Sequence, residues 1–188
     1  EDGRVCRKPG SARVTALVAG LDLASKMYAD VRPFIEPRQD GTYGVEFVCP
    51  TPGKYEVTAN VDGMPLPMCP LRIDVTPGRP KAMCCELTGE GLLRCLLGGQ
   101  AEFTILARDE FGNACDQGGA RFGVRSDGHA KLHEVADNED GTYTVLYSVP
   151  EWAHGPIQLD VLLDGVSVQG SPFTPQALAA PGAARAQE

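Results

Sequence analysis

Two stretches of this chain are near copies of each other. Asp40-Gly-Thr-Tyr43 and Asp140-Gly-Thr-Tyr143 lie 100 residues apart, and six of the eleven positions from 40 to 50 are identical to their counterparts at 140 to 150. Two inserted residues after the shared proline move the offset to 102. There Gly53 meets Gly155, Val57 meets Leu159, Val61 meets Leu163, Asp62-Gly63 meets Asp164-Gly165, and Pro70 meets Pro172. The 188 residues are therefore expected to form two modules, each about the size that closes one core.

Both copies alternate apolar and polar residues with the period of a half-buried strand. Tyr43, Val45 and Phe47 match Tyr143, Val145 and Tyr147. Tyr55, Val57, Ala59 and Val61 match Ile157, Leu159, Val161 and Leu163, and the following Asp-Gly pair is the chemistry of a tight hairpin. In the second copy Phe103, Ile105 and Ala107, then Phe122 and Val124, add earlier strands on either side of a Phe111-Gly-Asn-Ala break. Many short strands with regular turns predict an all-β antiparallel sandwich.

Aligning Cys6–Ala12 with Cys115–Ala120 places Glu1 in the turn after the second strand, so the chain reads as a piece whose first copy lacks its opening strands and leaves apolar surface uncovered. The expected boundaries are 1–76, 77–176 and a low-complexity tail at 177–188. The link Thr76-Pro-Gly-Arg-Pro80 is short and stiffened by two prolines, which implies closely placed modules.

Seventeen Lys and Arg against 25 Asp and Glu give a net charge of −8, unsuited to nucleic acid, and no apolar run is long enough to span a bilayer. Seven cysteines, an odd number with no CxxC pair, imply free thiols in a reducing compartment. Phosphate-loop, nucleophile-elbow, zinc-helix and dinucleotide motifs are absent, so no catalytic residue and no cofactor is expected. His129 and His133 are four apart, but on a strand that spacing is about 13 Å, too wide for one zinc. His154 lies in a turn with no nucleophile beside it, and Asp137, Glu139 and Asp140 read as a turn rather than a calcium site, so no metal is expected.

Asp137-Asn-Glu-Asp-Gly-Thr-Tyr143 with Val145, Tyr147, Pro150, Asp164-Gly165 and Gly170-Ser-Pro-Phe173 resembles the filamin-type immunoglobulin repeat; Ala101-Glu-Phe-Thr104, Arg108-Asp109 and Gly112-Asn113 fit its early strands. The resemblance covers the second copy from about Gly78 to Gln176 and the first from its third strand onward. Met68-Cys-Pro-Leu71 and the Trp-bearing turn Glu151-Trp-Ala-His-Gly155 depart from the pattern. It implies two tandem immunoglobulin-like sandwiches, the first truncated at its N-terminus. The implied role is a non-catalytic spacer and docking segment of a large cytoplasmic, cytoskeletal protein. Parents in this family include actin crosslinkers, tripartite-motif ubiquitin ligases and the tails of algal flagellar dynein heavy chains, and the flagellar parent is the specific expectation. The rival readings are an accessory substrate-binding module of a tripartite-motif ubiquitin ligase and an extracellular adhesion module.

Partners of such repeats add a strand beside the third strand. That maps to Ala120–Ser126, with Arg121, Gly123 and Arg125 outward, and to Ala12–Val18, with Arg13, Thr15 and Leu17 outward. The arginines favour an acidic or polar peptide, Leu17 offers an apolar anchor, and Gly123→Pro is expected to remove a donor from the edge.

Overall fold

The computed structural model describes residues 10, 12–21, 31–153 and 155–179, and the chain divides between Thr76 and Pro77 into two units. In the first unit β1 (Val14–Gly20), β2 (Phe34–Pro37), β3 (Tyr43–Glu46), β4 (Gly53–Val61), β5 (Met64–Pro65) and β6 (Leu71–Val75) follow in order. β4 is the hub, pairing antiparallel with β1 on one side and with β5 and β6 on the other, while β2 and β3 form a separate ladder. The β4–β5 link is Asp62-Gly63, whose φ values of 51° and 84° are both positive, as the hairpin turn that matches strand twist requires. Tyr55 is fully buried and donates its hydroxyl to the Thr51 carbonyl at 2.7 Å.

The second unit contains β7 (Glu86–Thr88), β8 (Arg94–Leu96), β9 (Gln100–Leu106), β10 (Phe122–Ser126), β11 (Lys131–Asp137), β12 (Thr142–Ser148), β13 (Leu159–Leu163), β14 (Val166–Ser167) and β15 (Gln176–Leu178). One sheet runs β11-β12-β9-β7 and the facing one β10-β13-β14, with β8 and β15 paired in parallel. Period-two alternation sends Phe103 and Ile105 of β9, Tyr143, Val145 and Tyr147 of β12, and Leu159, Val161 and Leu163 of β13 into one buried core. Asp164-Gly165 repeats the turn geometry of the first unit at φ 48° and 83°.

The two cores differ where the repeat alignment implies they should. Tyr143, Val145 and Tyr147 are buried, whereas Tyr43, Val45 and Phe47 are only half-buried. In the second unit β9 lies along β12 and sets Ile105 opposite Tyr143 and Phe103 opposite Val145. Among the described residues no strand takes that edge of β3. Likewise Val168 is 2% exposed and its counterpart Leu66 41%. In the second unit Gln169 N–H donates to the Ala82 carbonyl, tying this hairpin to the segment before β7.

The boundary expected at Gln176 falls inside a strand. Gln176–Leu178 pairs with Arg94–Leu96, Leu97 N–H donates to the Leu178 carbonyl at 2.9 Å, and Ala177 packs on the core. Three residues of Gln-Ala-Leu carry no readable period; distant pairing, not local pattern, makes them a strand. The Met68-Cys-Pro-Leu71 departure leaves the local bonding intact. Ala59 N–H donates to Cys69 Sγ at 3.3 Å, just as Val161 N–H donates to Ser171 Oγ at 3.0 Å.

Asp109, 2% exposed, organises the turn after β9. Its carboxylate accepts from the backbone N–H of Gly78, Phe111 and Asn113 and from the Asn113 amide, all at 2.9–3.1 Å. Burial alone would raise its pKa, but these donors outweigh it and hold the carboxyl below the usual range. A depressed folded pKa contributes stability above the unfolded value of about 3.9 that is lost as pH falls through the folded value. Asp109→Asn is therefore expected to cost about 2 kcal/mol at neutral pH. It should also flatten the decline in stability below about pH 4 in urea titrations followed by circular dichroism. An unchanged acid slope would show the network to be dispensable.

Candidate partner-binding edge

Each unit has several edge strands, and those that match the expected site are β1, laddered to β4, and β10, laddered to β13. Both begin at a tyrosine brace. Tyr143 Oη accepts from Ala120 N–H at 2.9 Å, and Tyr43 Oη donates to the Ala12 carbonyl at 3.2 Å. The Asp-Gly-Thr-Tyr motif thus fixes where each edge strand starts. Its aspartate forms a turn: Asp140 Oδ1 accepts from both Thr142 N–H and Oγ, and these bonds, the hydroxyl foremost, lower the carboxyl's pKa. At the far end of β10, Asp127 accepts from His129 N–H and Gln158 N–H, which together with the imidazole outweigh partial burial and hold its carboxyl below the usual range.

The strands are shifted slightly from expectation, at Val14–Gly20 and Phe122–Ser126. Arg13 and Arg121 immediately precede them, and both are exposed, as are Thr15, Leu17 and Arg125. Leu17 is 62% exposed and a real apolar projection. Gly123 sits opposite Leu162, and a methyl group placed on it would meet nothing within 4 Å.

Hydrogen-bond parity assigns the backbone differently from the side chains. Asp164 N–H donates to the Arg121 carbonyl and Asp127 N–H to the Gln158 carbonyl, so the residues at 121, 123, 125 and 127 turn their backbone groups toward β13. Val161, two residues from either end of β13, instead serves the other neighbour, accepting from Val168 N–H. The free edge of β10 is therefore made by Phe122, Val124 and Ser126. By the same count Asp62 N–H bonds the Arg13 carbonyl and Leu21 N–H the Lys54 carbonyl, which leaves Val14, Ala16 and Val18 facing outward along β1.

Two expectations change as a result. Gly123→Pro removes a bond between β10 and β13, inside the sandwich, and is not a clean probe of the outer edge. Arg125 is no free cation, since its guanidinium pairs with Asp160 at 2.7 Å. Both the parity of the ladder and the cross-strand acid depend on register, which one strand's sequence does not contain.

The first unit's edge is partly occupied, because Val18 bridges antiparallel to Val31. Between them lies a groove of about 450 Å³ lined by Val14, Ala16, Val18, Val31, Pro33 and Ile35, with Arg32 at its side. His133 Nε2 bonds Ser148 Oγ at 2.8 Å, His129 faces Asp127, and among the described residues no three His, Cys, Asp or Glu side chains cluster as a metal site. His154 lies outside the described residues. Trp152 is exposed, and among the described residues no helix is long and apolar enough to cross a membrane.

The Filamin/ABP280 repeat model matches residues 4–72 and again 79–174. Filamin-C of Mus musculus is 30% identical over 176 residues, covering 89% of this chain and 6% of that protein. Tripartite motif-containing protein 3 of Rattus norvegicus is 36% identical over 94 residues, covering 48% of this chain and 12% of that protein. Among solved structures, the bacterial integrin-binding protein invasin superposes with a TM-score of 0.52 at 16% identity, covering 92% of this chain and 34% of that one, a likeness of fold. The chain thus spans a small fraction of its relatives' length. Repeats of this kind are structural and protein-interaction modules and generally non-catalytic. With two tandem copies matched, each all-β and carrying the same Asp-Gly hairpin, the chain belongs to the filamin repeat family.

Proposed function

We propose that this pair of repeats is a spacer and docking segment of a large intracellular cytoskeletal protein, and that partners join it as an added strand on β10 and β1. The observation that carries the reading is the one-sided pairing of β10, which leaves the N–H and C=O groups of Val124 and Ser126 and the Phe122 carbonyl turned away from β13, the Phe122 N–H being bonded to the Ala120 carbonyl at 3.2 Å. Such a row is a ready template for another strand.

The likeness to Filamin-C runs through both units, whereas that to the tripartite-motif protein covers about half of the chain, which favours a cytoskeletal parent over a ligase. The six described cysteines carry free thiols, which supports a reducing compartment over the cell exterior. No described residue speaks for a flagellar motor as the parent.

Peptides selected by display on the purified chain provide the test. Bound peptide is expected to protect the amides of Val124 and Ser126, or of Val14 and Ala16, from hydrogen exchange. Gly123 and Arg125, already bonded inside the sheet, should change little. Protection elsewhere, or none, would remove the edge-pairing mechanism.

A further inference from the structure

The outer face beside β10 is chemically uneven, in a way that the two arginines alone do not reveal. Side chains at 123 and 125 share that face because strand residues alternate, and Arg121 immediately precedes the strand with its carbonyl still laddered to Asp164 N–H. Arg125 is neutralised by Asp160, its neighbour across the ladder. Arg121 makes no ion pair with any described residue, although Asp164 lies across the ladder from it. Between them Gly123 leaves a hollow, with nothing within 4 Å of where its side chain would start and Leu162 opposite.

We propose that this edge selects a strand with a carboxylate facing Arg121 and a bulky apolar or aromatic side chain lying over Gly123. The proposal rests on the edge-pairing reading above and names the partner's chemistry. Since Gly123 and Arg121 spend their backbone bonds on β13, an added antiparallel strand would meet them at non-hydrogen-bonded positions. There opposite Cα atoms approach to about 4.5 Å and side chains are closest. A large side chain laid across a strand glycine covers backbone that is otherwise wet. A carboxylate opposite Arg121 gains a cation that no described residue holds in an ion pair, against a chain whose overall charge of −8 repels acidic segments elsewhere. Opposite Arg125 an acid gains little, because Asp160 is already there.

The probes are synthetic heptapeptides of sequence Thr-Val-Tyr-Val-Glu-Val-Thr, with Lys replacing Glu or Ala replacing Tyr, titrated by fluorescence anisotropy onto the whole chain. The Glu peptide is expected to bind about three- to tenfold more tightly than the Lys peptide, the range for a directly opposed charge pair against a like-charged one. Arg121→Glu should reverse that order, and Arg125→Ala should leave it in place. The Tyr-to-Ala change should weaken binding several-fold. If the peptides bind and protect the β10 amides but Glu and Lys forms are equivalent, the selectivity is wrong and edge pairing survives. If no peptide binds the folded chain, both ideas fall. The wild-type comparison of Glu and Lys peptides needs no protein variant, so a folding defect in Arg121→Glu would not mask the answer.

Discussion

Gly141→Ala is expected to cost the second unit at least about 4 kcal/mol, a large part of the 5–15 kcal/mol that typically holds a domain together. Two effects add. The residue sits at φ 82°, where an L side chain is strained by about 1–2 kcal/mol. Its methyl group would also overlap the Cys115 carbonyl oxygen and come within 3.2 Å of Asp116 N. That oxygen has no rotamer to swing away. Cys115 N–H is bonded to the Ala107 carbonyl, and Ala107 N–H to the Gly141 carbonyl, both at 2.9 Å, so the three backbones are locked together. Gly165→Ala is the control, with φ 83° and open space around it, and should cost only the backbone strain of about 1–2 kcal/mol. Equal urea midpoints for the two variants would show that the close approach at Gly141 is relieved at no cost.

The second large effect separates the repeats. Tyr143→Ala is expected to cost about 3–5 kcal/mol, because a fully buried ring is lost from the core. That ring packs on Phe122 with centroids 4.6 Å apart, and its hydroxyl accepts from Ala120 N–H. Tyr43→Ala should cost only about 1–2 kcal/mol, since the matching ring is half-buried and, among the described residues, no strand lies beyond β3 to cover it. Thermal melting of both variants decides the matter. Equal shifts would mean that the first unit's core is as closed as the second's.

Much of the fold is written in short-range pattern. Alternation at Tyr143, Val145 and Tyr147 marks a core strand, and Asp-Gly marks each hairpin, because both signals act over neighbouring residues. What resisted reading depends on pairing between distant segments. Gln176–Leu178 becomes a strand only because Arg94–Leu96 lies beside it. The direction of each backbone group along β10 follows from its register with β13, and so does the capture of Arg125 by Asp160. The side chains of the candidate edge were therefore legible, as Arg121, Gly123 and Arg125, while its hydrogen-bonding row at Phe122, Val124 and Ser126 was not.

The parallel pairing of β8 with β15 bears on how the second unit would carry load. Tension that drags the amino end of β8 one way and the carboxyl end of β15 the other slides the two strands along their shared axis. The rungs at Arg94, Cys95 and Leu96 then resist together instead of parting one at a time. Among the described residues the first unit has no such clasp.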